Sequence, residues 1–87
     1  MRIDRFLFFI RMAKSRTLAQ GVVEQGHIRV DGKRVTKPSE EVRAGSVIAL
    51  PLHGNVRVVR VLSLPARRGP AAEARAHYEE VEAVSRP

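Results

Sequence analysis

A change of hydrophobic period at Gly26 constrains this chain more than any other feature. Before it, Leu18, Ala19, Val22 and Val23 recur at the spacing of one helix face. After it, Ile28, Val30 and Val35 alternate with His27, Arg29, Lys33 and Arg34, and Asp31-Gly32 separates the two runs. Period two interrupted by Asp-Gly predicts a β-hairpin with a type I′ turn. Gly26 predicts the helix end, because a residue without Cβ enters the left-handed region freely. Ser15 predicts its start, with the hydroxyl accepting a hydrogen bond from a first-turn N–H. The polar partners His27, Arg29, Lys33 and Arg34 are then expected on solvent.

The flanking segments fit around this unit. Ile3, Phe6, Leu7 and Ile10 give a helical stripe over Ile3 to Met12, with Asp4 near the start and Arg11 near the end of the dipole. Phe6 belongs to the core, while Phe8 falls farther from the stripe. Two short helices joined at Ala13-Lys14 make a helical hairpin. Pro38 holds Lys37 extended, and Ala44-Gly45-Ser46 marks a further turn. Val47 to Leu50 and Val56 to Leu62 read as strands about a Gly54-Asn55 turn. Three to five short, mostly antiparallel strands are expected. Pro70 opens a last helix whose stripe is Ala71, Ala74, Tyr78 and Val81, with Arg75 and Glu79 as an exposed pair. Residues 85–87 are expected to fray. The fold class is α+β, a helical hairpin on a small antiparallel sheet with a short C-terminal helix.

Charge narrows the partner. The 87 residues carry 16 Lys and Arg against 9 Asp and Glu, a net +7. Residues 1–37 hold nine of the basic and three of the acidic side chains, a net +6. A one-sided basic surface on a folded domain is a footprint for a polyanion. There is no cysteine, which removes disulfides, thiolate metal sites and cysteine nucleophiles together. His27, His53 and His77 lack zinc-site spacing, and Ser15 has no general base beside it. No catalytic residue, metal or cofactor is expected. No apolar run reaches the roughly 18 residues of a membrane span, so a membrane is not an expected partner.

The binding constellation is richer. Lys14, Ser15 and Arg16 stand at a helix start, where free backbone N–H groups attract phosphate. Cations there oppose the helix dipole by about 0.3–1 kcal/mol each, which suggests a use other than stability. Arg2, Arg5 and Arg11 of the first helix can reach the same surface. Gln20 lies along the second helix, and His27, Arg29 and Lys33 project from the hairpin. Such groups grip phosphate and set register. A helix-and-hairpin surface without a long recognition helix suits structured RNA better than a DNA major groove.

These residues carry a resemblance. Arg2-Ile3-Asp4-Arg5-Phe6-Leu7, Lys14-Ser15-Arg16-Thr17-Leu18-Ala19, Gly26-His27-Ile28-Arg29-Val30-Asp31-Gly32, Lys37-Pro38-Ser39 and Ala44-Gly45-Ser46 resemble the S4-type RNA-binding domain. Leu64 to Ala74 with Tyr78-Glu79-Glu80 resembles the ribosome-associated heat-shock family of fifteen-kilodalton proteins. Phe6 and Phe8 stand where that family often has tryptophan, and Ser46 where it usually has aspartate. The resemblance implies residues 1–64 as the S4-type unit, built on the alpha-L RNA-binding motif. Residues 65–87 are a basic loop and C-terminal helix, either part of the same compact unit or a short tail. It implies RNA contacts at Arg2, Arg5, Arg11, Lys14, Ser15, Arg16, Gln20, His27, Arg29 and Lys33.

The implied function is non-catalytic: a monomeric, cytoplasmic protein that binds ribosomal RNA and transfer RNA on the large ribosomal subunit. The implied setting is rescue, recycling or quality control of stalled nascent-chain complexes. The alternative is an RNA-docking module working with a separate pseudouridine synthase or methyltransferase. The tail from Arg67 to Glu80 favours the first reading.

Overall fold

The helix, the glycine break and the hairpin form where the period changes. The computed structural model describes residues 1–52 and 54–81, without the Leu52 side chain; His53 and the expected fraying at 85–87 lie outside the described residues. Helix α2 spans Arg16–Glu24, and the Ser15 hydroxyl accepts from the Leu18 N–H at 3.1 Å. Gly26 follows with φ +80° and donates its N–H to the Val23 carbonyl at 3.0 Å. Strands β1 (Ile28–Val30) and β2 (Lys33–Val35) then pair antiparallel, with Ile28 opposite Val35, Arg29 opposite Arg34 and Val30 opposite Lys33. Asp31 at φ +52° and Gly32 at φ +84° give the positive-φ pair of a type I′ turn.

Helix α1 covers Ile3–Phe9 and stops short of the expected Met12. The cause is local. Arg11 takes φ +66°, and its N–H bonds the Phe8 carbonyl at 3.1 Å while Met12 N–H bonds that of Leu7 at 2.9 Å. This pair of bonds is a Schellman end with arginine, rather than glycine, at the left-handed position. At the other end, the Ile3 N–H reaches the Glu40 carbonyl at 2.7 Å and the Asp4 N–H that of Pro38 at 3.3 Å. The segment after β2 thus satisfies first-turn donors that no helix residue can.

Strands β3 (Val47–Leu52) and β4 (Asn55–Val61) form the centre of a five-stranded antiparallel sheet that β5 (Tyr78–Glu80) completes, in the order β2-β1-β3-β4-β5. The fifth strand takes the second half of the expected helical stripe from Ala71 to Val81. Helix α3 is only Ala71–Arg75, and Tyr78–Glu80 is strand β5, with Val61 opposite Tyr78 and Arg60 opposite Glu79. The expected Arg75–Glu79 pair gives way to Arg60–Glu79 at 2.7 Å, and Arg57 pairs with Glu80. Pairing with the otherwise open edge of β4 outweighs the helix propensity of an Ala- and Glu-rich segment.

The core lies between the helices and one face of the sheet. Ile3, Phe6, Leu7 and Ile10 meet Ala19 and Val23 of α2, with Ile28, Val35, Ile48, Leu50, Val59 and Val61 beneath them. Phe6 is fully buried, which contributes roughly 1.5–3 kcal/mol. Leu18, expected in the stripe, is instead 53% exposed. Ala19 and Val23 are buried in the core with Val22 packed half-buried against it, and position 18 turns past it.

A clasp joins the loop after β4 to the end of α1. The Arg11 Nε donates to the Gly69 carbonyl at 2.7 Å, and the Arg68 Nε donates to the Phe8 carbonyl at 3.0 Å. The Arg68 guanidinium also lies 4.7 Å from the Phe8 ring centroid. The two arginines exchange contacts between the same two segments.

Candidate nucleic-acid interface

The ten expected contact residues fall into three groups rather than one strip. The first gathers on Asp4, which is inaccessible to water although it sits among charged neighbours. Arg2 binds its carboxylate with both Nε and Nη2, at 3.1 and 3.0 Å. The Arg5 backbone N–H donates at 2.7 Å, Gln20 Nε2 at 3.1 Å, and Arg16 Nη2 makes a looser contact at 3.5 Å. Burial raises the Asp4 carboxyl, but the donors of Gln20, Arg2 and the Arg5 amide outweigh it and hold it below the ordinary carboxylate value.

Asp4 therefore does more than favour a helix dipole. One carboxylate faces two guanidiniums, so the cluster keeps a net positive charge. The Arg2 and Arg16 side chains remain 43% and 44% exposed. Each guanidinium has five N–H donors, and Asp4 takes only some of them. Fixing an arginine side chain in advance removes up to about 2 kcal/mol of rotamer entropy that a ligand would otherwise have to overcome. An acid placed between Arg2 and Arg5 in a strongly basic segment was the available signal for this role.

Arg5, Lys14 and Ser15 flank the cluster. The Arg5 guanidinium lies 5.3 Å from the Phe9 ring centroid, and Lys14 is exposed. Ser15 spends its hydroxyl on the Leu18 N–H. Arg11 forms the second group by itself, turned to Gly69 in the clasp.

The third group is the hairpin, and the register divides it. Lys33 lies opposite Val30, a neighbour of the core, whereas Arg29 lies opposite Arg34 on the face turned away from the helices. His27, Arg29 and Lys33 are all exposed. A groove of about 620 Å³ along β2 is lined by Lys33, Arg34 and Arg43 but also by Asp31, Glu40 and Glu41, so its charges balance. Among the described residues no group of three or more His, Asp or Glu side chains could hold a metal ion. No helix there is long and apolar enough to cross a membrane.

The chain belongs to the S4 domain family, whose family model matches residues 1–48. It resembles heat shock protein 15 over most of its length. It is 37% identical to the heat shock protein 15 homolog of Aeromonas salmonicida over 83 residues, which cover 95% of this chain and 62% of that protein. The solved structure of trimeric heat shock protein 15 from Vibrio cholerae superposes with a TM-score of 0.88 at 32% identity, covering 93% of this chain and 81% of that one. The small ribosomal subunit protein uS4 of Lacticaseibacillus casei is 53% identical over 49 residues, 56% of this chain and 24% of that protein. The chain thus spans less than two thirds of the length of these two sequence relatives.

Proposed function

We propose that this protein binds structured RNA of the large ribosomal subunit through the Asp4-centred cluster and the neighbouring start of α2. The observation that carries the reading is the buried carboxylate holding two half-exposed guanidiniums, Arg2 and Arg16, at one place. Bidentate guanidinium donors match phosphate oxygens and bind them more strongly than neutral donors do. Lys14 adds a charge, and Gln20 fixes the inner side of the cluster. Arg5, Ser15, His27 and Lys33 extend the surface, Arg11 sets its boundary at the clasp, and Arg29 adds a cation on the other face of the hairpin.

The protein acts in the cytoplasm as a single copy, in rescue or quality control of subunits that retain a nascent chain on transfer RNA. Likeness to heat shock protein 15 and to a ribosomal protein supports a ribosomal setting. Sedimentation with purified subunits tests it: the protein travels with the large subunit, more so when peptidyl-transfer RNA is retained. Travel with neither subunit would overturn the reading, and a free mass near three chains would overturn the single copy.

A further inference from the structure

The β1–β2 hairpin carries cations on both of its faces. The two-residue turn pairs Arg29 with Arg34, and β-strand parity sets that pair opposite to Ile28 and Val35, which are buried beneath the helices. Lys33 belongs to the buried-side parity, at the open edge. The same parity continues across the sheet, where Arg29 stands opposite Ala49 and Ala49 opposite Val58. The row on the far face thus reads Arg34, Arg29, Ala49, Val58, with no acid in it.

Like charges directly opposite one another destabilise an antiparallel pair. Among the described residues neither Arg29 nor Arg34 has a carboxylate partner within salt-bridge distance; the acids that do form ion pairs belong to other residues. The two guanidiniums instead splay apart onto backbone carbonyls. Arg34 Nε donates to Gly26 at 2.9 Å, and Arg29 Nη1 donates weakly to Gly32 at 3.4 Å. Among the described residues each keeps most of its donors free, and no third layer covers the pair. Arg60, the next cation on this face, is already neutralised by Glu79.

We infer that Arg29 and Arg34 form a second phosphate-binding site on the far face of the hairpin, so that the hairpin lies between two segments of RNA backbone. This rests on the RNA reading above. The Asp4 cluster grips one segment from the helix side, and the Arg29–Arg34 pair grips another from behind. Arg34 enters the contact set through this geometry; sequence alone placed it only on solvent.

The test is Arg29→Glu, with in-vitro transcribed large-subunit ribosomal RNA as the probe. A glutamate opposite Arg34 makes a cross-strand ion pair, so the hairpin gains stability while the far face loses its free charge. With both contacts removed, the ratio of affinities between 50 and 200 mM salt falls by about 7- to 12-fold, and the melting temperature stays or rises. An unchanged salt ratio, alongside a reduced one for Arg16→Ala, overturns the far-face site and leaves the RNA reading standing. A wild-type affinity flat with salt overturns both. Loss of binding together with a lower melting temperature assigns Arg29 a structural role and overturns the inference; Arg29→Gln, which adds no new charge, checks that outcome.

Discussion

Replacing Asp4 by asparagine isolates the centre of the cluster, because the side chain keeps its size and loses its charge. Asp4 accepts from Arg2, Arg16, Gln20 and the Arg5 amide. An asparagine can offer one oxygen to this set, and its amide N–H₂ then faces donors. Removing one member of a buried ion pair costs about 3–5 kcal/mol when the abandoned charge is fully buried. Arg2 and Arg16 keep more than two fifths of their surface in water, so much of that penalty is relieved. Loss of charge-assisted bonds at about 1.5–3 kcal/mol sets the scale, and we expect a destabilisation of about 2–3 kcal/mol. For a domain of this size that lowers Tm by roughly 8–24 °C, measured by circular dichroism at pH 7.

The same substitution has a pH signature. The folded carboxyl titrates below its ordinary value, so its stabilisation is complete above about pH 4 and is lost as pH falls through the folded value. Wild-type and Asp4→Asn stabilities therefore converge as pH is lowered below that point. A variant melting within about 2 °C of the wild type at pH 7, or a gap that persists unchanged into acid, would mean that the Asp4 charge does not stabilise the fold.

Three further perturbations test the frame around the cluster. Gly26→Ala places a Cβ 2.6 Å from Arg34 Nη2 at φ +80°, and should cost about 1–2 kcal/mol while weakening RNA binding through the displaced Arg34; urea unfolding and RNA titration measure the two effects. Arg68→Ala removes a hydrogen bond to Phe8 and a cation–π contact, which together should cost about 1–2 kcal/mol, with accelerated amide exchange at the end of α1. Wild-type affinity for large-subunit ribosomal RNA should fall about 50- to 150-fold from 50 to 200 mM salt if four phosphates are contacted, as filter binding would show.

What the sequence makes legible here is local. Ser15 and Gly26 bound α2 because cap chemistry depends on a few neighbouring residues, and Asp31-Gly32 specifies its own turn. The opposition of Arg29 and Arg34 follows from that two-residue turn and strand parity, so counting outward from Asp31-Gly32 would have found it. Asp4 was less accessible, because Gln20 reaches it only after α1 and α2 have packed. The left-handed end at Arg11 has no glycine to announce it, and the carbonyl its side chain reaches, that of Gly69, is distant in the chain. Strand β5 was hidden for a related reason. Ala- and Glu-rich composition favours helix, and the pairing of Glu79 and Glu80 with Arg60 and Arg57 exists only once β4 is in place.

A mutant cycle read on RNA affinity decides whether Asp4 serves RNA binding by holding Arg2 and Arg16. Asp4→Asn is made in the wild type and in an Arg2→Ala/Arg16→Ala background, at a temperature where all four proteins are folded by circular dichroism. Affinity for large-subunit ribosomal RNA is then measured at fixed salt. In the wild type the substitution should weaken binding about tenfold, or about 1.4 kcal/mol; in the arginine-less background it should change nothing, because the groups it positions are gone. Equal losses in both backgrounds, or no loss in the wild type, would mean that Asp4 does not act on RNA through the two arginines.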